Sequence, residues 1–451
     1  MTARRKTIWT FADRFEGDKV VWIILLMLYL LSIVCMFSSS SRLLDEGMSR
    51  LDIVREQFIT VLGGLAVVIV LYNIKNIKWF WRLSALGFPL TLLLLVLLDI
   101  RVQLPFLKAI ELNGAYRILE IRHTQIHVFE IVKVAMVMYL AWAIDAQKRR
   151  KLPFLKNLAG EWQKIIFIYA PFIATFLLIL PGSNSSALFI GMIMYIVILL
   201  GGGSLRDMTI LAAVGITALM LCFGIYKLSD GKHLQRIGTG VSRVFEDEDM
   251  EKQFLESRKG TVEYQEALDA IRQPYAARIA IHEGGFKGKG PGQSTQRYVV
   301  PAISEDFIYS FIIEEYGLLG GILVIMLYLS LLSRGSIIVR NCGNDNFAKV
   351  AVAGLCILIS GQAFLHMFVN ADIGPMTGQT LPLISHGMSA FLCFSIAFGI
   401  ILSFSRMAAR RIERETREAA PLGGPRDDVR DRLDDLDEYE SGKNSDDIYG
   451  I

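Results

Sequence analysis

A chain of 451 residues that is 53% hydrophobic and 20% charged, with a mean hydropathy of +0.43, is more apolar and less charged than a soluble protein of its length. The excess falls in blocks of roughly 18 to 25 residues, enough to cross a hydrocarbon core about 30 Å thick at about 1.5 Å per helical residue. A cytosolic enzyme, a secreted disulfide scaffold and a disordered chain are excluded, and a net charge of +3 makes no case for a nucleic acid partner.

In chain order, residues 1–19 (MTARRKTIWTFADRFEGDK) lead into an apolar run with no small-residue cleavage site, and read as a cytoplasmic segment before a retained helix. Ten spans are predicted at about 20–38, 57–74, 79–99, 128–146, 165–181, 186–203, 208–227, 307–331, 348–370 and 387–407. Lys and Arg cluster at the N-terminus, after the fourth span (Lys148, Arg149, Arg150, Lys151), after the eighth (Arg334, Arg340) and after the tenth (Arg406, Arg410, Arg411, Arg414, Arg417). The loops after the fifth and ninth spans carry none, so both termini are expected in the cytoplasm. The expected fold class is an all-α integral membrane protein, with residues 20–407 as its polytopic domain.

Two predicted external loops are charged. The first, about 100–127, holds Arg101, Lys108, Arg117 and Arg122; the second, 228–306, lies between spans 7 and 8. The early part of the second, through AARIAI, reads as surface helix, and HEGGFKGKGPGQSTQRYVVPAISED as Gly-rich irregular loop. Residues 408–451 form the cytoplasmic tail; from 418 on they are rich in Asp, Glu, Gly and Ser and are expected to be disordered, while the Arg cluster before them suits anionic membrane lipids. The five cysteines show no metal or CxxC spacing and read as small apolar core residues. The external histidines show no HExxH arrangement, which speaks against a His-bound metal.

Polar residues inside or beside spans are costly and mark candidate sites. Glu130 and Lys133, spaced i, i+3 on one face of span 4, are either a structural ion pair or a polar wall for a charged substrate group. Asp306 opens an apolar helix, where it either caps the helix dipole or serves as a general base at the membrane boundary. Glu314 and Glu315 follow two turns later and call for a protein or water-filled environment. Lys287, Lys289 and Arg297 stand among flexible glycines, a composition that suits a diphosphate and equally an ordinary solvated loop.

The strings GPGQSTQR, DFIYSFIIEEYGLLGG and GQTLPLIS, with ten spans and a large loop between spans 7 and 8, resemble the SEDS family (FtsW/RodA/SpoVE) of peptidoglycan polymerases over nearly all of residues 15–410. The opening GDKVVWIILLMLYLLSIVCMFSSSSRL is most similar to the cell-division branch. The family's Gly-Ala-x-Arg segment matches Gly114, Ala115 and Arg117, its Glu-x-x-Lys matches Glu130 and Lys133, and its loop aspartate falls on Asp306. Its Glu-Glu-x-Gly matches Glu314, Glu315 and Gly317. Departures cluster elsewhere: His127-Val128-Phe129 replaces Gln-Pro-Ser, Pro181-Gly182-Ser183-Asn184 lacks an aspartate, Met376-Thr377-Gly378 lacks a lysine, and Ser385-His386-Gly387-Met388-Ser389 replaces Ser-Tyr-Gly-Gly-Ser. These bear on how phosphate is held, and Arg117, Lys287, Lys289 or Arg297 are the substitutes at hand.

The resemblance implies a glycosyltransferase that polymerises lipid II into β-1,4 glycan at the division septum of the bacterial inner membrane. Its partners would be a class B penicillin-binding transpeptidase and other divisome proteins. An α-linked donor and a β-linked product require one inverting displacement, with Asp306 as base for the acceptor hydroxyl and Ser385 among the substrate-binding residues. The departing diphosphate needs positive charge from Arg, Lys or a divalent cation such as magnesium or manganese. A flippase of lipid-linked precursors and a non-catalytic division scaffold are the competing readings.

Overall fold

The computed structural model describes residues 16–39, 50–112, 115–122, 124–150, 160–228, 262–300, 303–374 and 376–419. The expectations for Gly114, for the first half of the large loop and for the tail beyond 419 lie outside the described residues. Each of the ten apolar blocks is helical: α1 Lys19–Ser39, α2 Arg50–Asn73, α3 Ile77–Ser84 with α4 Gly87–Asp99, α5 Val128–Lys148, α6 Gly160–Ile179, α7 Asn184–Leu200, α8 Leu205–Leu228, then α10 Ile308–Asn341, α11 Asn346–Asn370 and α12 Met388–Ala419. The large loop contributes α9, Val262–Gly284, which extends the expected surface helix to include His282 and Glu283. Among the described residues, seven helices are long and apolar enough to cross a membrane.

The side chains explain the choice of solvent. On α1, Ile23, Leu26, Leu30 and Phe37 point outward while Ile24, Leu25, Leu28 and Cys35 are buried; α10 likewise exposes Leu318, Ile322, Met326 and Leu329. A helix apolar on its outer face as well as its inner one has hydrocarbon, not water, around it. The protein is an all-α integral membrane protein in which α5, buried around most of its circumference, is packed against α4, α7 and α11, while α12 lies along α2 and α10 along α11. Glu16 pairs with Arg410, and the backbone N–H of Asp18 donates to Ser405 Oγ at 2.8 Å, so the start of α1 and the end of α12 share one face of the bundle.

Two features depart from the sequence reading. The stretch expected to be the first external loop is a four-stranded antiparallel sheet in sequential order: β1 Gln103–Leu104, β2 Leu107–Leu112, β3 Ala115–Ile121 and β4 Thr124–His127. It pairs Lys108 with Glu120 and Ala109 with Leu119, and β3 and β4 rest on α4, α5 and α12. Short amphipathic strands are overshadowed by the apolar blocks around them. Second, α12 runs to Ala419, past residue 407, because its basic end is tied down: Arg411 donates to Cys342 O at 3.0 Å and to Glu415 at 2.7 Å. Cys342, read with the other cysteines as a small apolar core residue, is buried just after the end of α10.

Candidate active site

A cavity of about 750 Å³ opens at the end of the bundle where the sheet sits. Its wall takes Arg117 from β3, His127 from β4, Glu130 from α5, Ser183 and Ser186 at the start of α7, Glu305 to Phe307 ahead of α10, His366 from α11, and Met376 to Thr380 with His386 to Ala390 leading into α12. Four helices, α5, α7, α10 and α12, present their N-termini here, and one, α11, its C-terminus. Aligned peptide dipoles at four N-termini favour an anion, although one first-turn N–H is already used in each of two of them, Ser186 N toward Ser183 Oγ and Ser310 N toward Asn370 Oδ1. Arg117 adds a guanidinium, held by its Nε donating to Gly182 O at 3.0 Å.

Asp306 stands half-buried in this wall, and its backbone is tethered from several sides. Asn370 Nδ2 donates to Asp306 O at 2.9 Å, while Asn370 Oδ1 accepts from Ser310 N at 3.0 Å. Ser385 Oγ donates to Glu305 O at 2.7 Å and accepts from Leu381 N at 2.8 Å, and His386 N donates to Ser304 O at 2.9 Å. Ser385 therefore holds the segment that carries Asp306 and does not itself line the cavity. Opposite, Gly378 presents no side chain: a Cβ there would lie 4.0 Å from Asp306 Oδ2.

Beneath the wall lies the Lys133 ammonium, fully buried. It donates to Glu130 Oε1 at 2.6 Å, Gln362 Oε1 at 2.7 Å and Gln379 Oε1 at 2.8 Å, so each of its three protons has an acceptor. The two glutamines are held in turn, Gln379 Nε2 donating to Ser186 Oγ at 3.0 Å and Gln362 Nε2 to Thr380 O at 2.9 Å. Lys133 is thus a tie between α5, α11 and the loop before α12, while Glu130 keeps its second oxygen without a hydrogen bond at the cavity side. Below this layer α5 presents Met136, Val137 and Leu140, all buried and apolar. The polar lining is shallow and ends at one side of the bundle.

Two histidines flank the cavity with opposite tendencies. Burial pushes His127 below the usual histidine range, against the pull of Glu130 and Glu305. The Glu305 carboxylate, 3.9 Å away, holds His386 above that range.

The other residues singled out in the sequence form a second cluster outside the cavity lining. Lys289 pairs with Glu283 and with Glu314 at 2.7 Å; burial alone would lower it, but these carboxylates hold it above the usual lysine range. Glu314 also accepts from Thr295 N at 2.8 Å and Ser294 Oγ at 2.5 Å. Glu315 accepts from Ser38 Oγ at 2.6 Å and Gly292 N at 3.0 Å. Arg297 donates to Ser38 O at 3.2 Å and Tyr298 Oη at 2.8 Å, and Lys287 is exposed. The Gly-rich loop is a lock on α10: Lys289 N and Gly290 N donate to Glu314 O and Glu315 O at 2.9 Å, and Leu318 N donates to Gly285 O. The helix breaks where the loop enters, at Gly317 (φ 70°, ψ −174°), where a Cβ would lie 2.3 Å from Phe286 O.

Sequence reasoning passed over Gln362, His366 and Asn370. Their i, i+4, i+8 spacing on the otherwise apolar α11 puts them on one face, a signal present in the sequence. Gln379 carries no such local signal. Among the described residues no three His, Cys, Asp or Glu side chains gather as a metal site.

The model of the family FTSW_RODA_SPOVE, described as "Cell cycle protein", matches residues 18–410. A Caulobacter vibrioides protein named "Probable peptidoglycan glycosyltransferase FtsW" is 39% identical over 130 residues, 29% of this chain and 33% of that protein. A protein of the same name from Geobacter sp. is 24% identical over 401 residues, 87% of this chain and 98% of that one. A solved chain described under "Structural coordination of polymerization and crosslinking by a peptidoglycan synthase complex" has a TM-score of 0.58 at 19% identity, covering 88% of this chain and 98% of that one, a likeness of fold.

Proposed function

The chain belongs to the FtsW/RodA/SpoVE family of cell cycle proteins, and from that premise we propose that it is a peptidoglycan glycosyltransferase of the division branch that polymerises lipid II in the cavity around Asp306. The observation that carries this reading is a tethered carboxylate in the wall of a cavity that also receives four helix N-termini and Arg117. The acceptor's 4-hydroxyl gives its proton to Asp306 as its oxygen attacks the donor's anomeric carbon from the face opposite the leaving group, inverting α to β. The bond to the lipid diphosphate breaks in the same step, and Arg117 with the helix N-termini stabilises the negative charge that departs. The polyprenyl tails remain in the bilayer along the apolar outer faces of the helices.

Magnesium or manganese carried on the diphosphate would meet one or two carboxylates plus phosphate oxygens; Glu56 and Glu305, both exposed in the cavity lining, fit that part and leave Asp306 to its proton. Such an ion would add positive charge at the leaving group. In this reading the chain crosses the inner membrane ten times, with both termini cytoplasmic and the cavity external, and works at the septum with a class B penicillin-binding transpeptidase and other divisome proteins. The shallow polar lining, closed below by Lys133 and apolar packing, favours an enzyme over a flippase, which needs a polar path through the full depth.

Polymerisation of labelled lipid II by wild type and Asp306→Asn, each alone and with the cognate transpeptidase, tests the reading. A general base contributes about 10²–10⁴-fold, so the variant is expected to lose about 3–5 kcal/mol of transition-state stabilisation while staying folded. Equal polymer from both removes Asp306 from the mechanism; none from wild type, even with the partner, favours the flippase or the scaffold.

A further inference from the structure

His366 is 1% exposed in the middle of the polar face of α11, and it forms part of the cavity wall. One ring nitrogen is accounted for: Nδ1 lies 2.7 Å from Gln379 O. A carbonyl oxygen only accepts, so Nδ1 carries the proton. With Nδ1–H committed to Gln379 O and no carboxylate bonded to the buried ring, the imidazole is neutral and Nε2 has an open lone pair. That Nε2 is buried and has no hydrogen-bond partner. A buried acceptor left unpaired is costly, and native structures seldom keep one without a reason.

The position is as telling as the chemistry. Asn370, one helical turn further along α11, holds the backbone of Asp306 and also donates to His366 O at 2.9 Å. His366 is therefore fixed relative to Asp306 through one intermediate side chain, Asn370, and lies about 6 Å before that residue along the helix. Glu130 Oε2, in another lining residue of the same cavity, is a second buried acceptor without a hydrogen bond.

We propose that His366 Nε2 is a substrate-binding acceptor that receives an O–H or amide N–H donor of the sugar bound at Asp306, so that His366 helps set which sugar the site admits. This rests on the reading that the cavity binds a glycan substrate. The role is binding and selectivity; no bond is made or broken at His366.

The test uses two substitutions that divide the imidazole's two functions. In His366→Asn the amide N–H can replace Nδ1–H toward Gln379 O, and the distal acceptor is lost. In His366→Gln the longer side chain can return an acceptor near Nε2, and the Gln379 bond is lost. Equilibrium binding of fluorescent lipid II to the full-length protein in detergent, which needs no turnover, is expected to weaken about 5- to 150-fold in His366→Asn, the range for leaving one buried donor unsatisfied, and to be largely kept in His366→Gln. The reverse order, or wild-type binding by folded His366→Asn, overturns the proposal, as does wild-type protein that binds no lipid II. Failure of wild type to polymerise lipid II that it does bind strikes the catalytic reading instead. Should His366→Asn not fold, ring-¹⁵N spectra of the wild type decide: an unprotonated Nε2 whose resonance moves on adding lipid II is expected. A resonance indifferent to saturating lipid II means a structural water is the only partner, and the proposal falls.

Discussion

Replacing Lys133 by methionine, close in length and without charge, should be among the most damaging single changes in the membrane core. The ammonium has three acceptors and no exposed surface. Removing it leaves the Glu130 carboxylate uncompensated and the carbonyl oxygens of Gln362 and Gln379 without their donor. Deleting one partner of a buried pair costs about 3–5 kcal/mol. Glu130 keeps 13% of its side chain exposed at the cavity, where water can partly hydrate it, which places the expectation near the lower end, about 3 kcal/mol. Glu130→Gln should cost less, because its carbonyl can still accept from Lys133, and the pair Glu130→Gln/Lys133→Met should recover part of the loss by removing the stranded charge. Denaturant unfolding in mixed micelles, for all four proteins of the cycle, gives these terms directly. A Lys133→Met loss below about 1 kcal/mol, or a double variant no better than Lys133→Met alone, would falsify the claim that a satisfied buried ion pair ties α5 to α11.

Ser385→Ala strands Leu381 N and Glu305 O and should cost about 2 kcal/mol; because the freed segment carries Asp306, kcat of polymerisation should fall more than KM rises, and an unchanged kcat would end the positioning argument. Gly317→Ala adds about 1–3 kcal/mol for a positive-φ backbone with ψ near 180°, a region essentially reserved for glycine, to a clash with Phe286 O and Gly288 N, neither of which can swing aside; yield of folded protein on size exclusion should collapse. The His386–Glu305 contact has a defined pH sign. Since the folded value of His386 lies above the usual one, its contribution is fully present below about pH 6.5 and is lost as pH rises through the folded value. With Glu305 53% exposed, solvent screening keeps it below about 1 kcal/mol, and the stability gap between wild type and His386→Gln should shrink from pH 6 to pH 9. A gap that grows over that range contradicts the assignment.

Much of the architecture was legible along the chain. Blocks such as VVWIILLMLYLLSIVCMF announce a span because backbone polar groups in hydrocarbon must pair within the segment, and only a helix does that locally. Asp306 stood out because a carboxylate at the edge of an apolar run is unusual enough to require a reason. The small sheet was missed because its strands are short and their alternation, as in LKAIEL and AYRILEI, is faint beside ten apolar blocks.

Which polar residues meet was decided only in three dimensions. Glu130 and Lys133 were visible as an i, i+3 pair, yet what makes the ammonium tolerable is Gln362 and Gln379, 229 and 246 residues away. The Gly-rich loop shows the same divide. By composition it suits a diphosphate, but folding brings Lys289 to Glu283 and Glu314 and spends its backbone N–H groups on the carbonyls of a broken helix. Periodicity and hydropathy are local, so the chain alone marks which segments are apolar enough to enter the membrane. Desolvation is not local: a charge leaving water takes whichever acceptors the packed helices supply, and only the tertiary structure says which side chains are used up holding the protein together and which remain to meet a substrate.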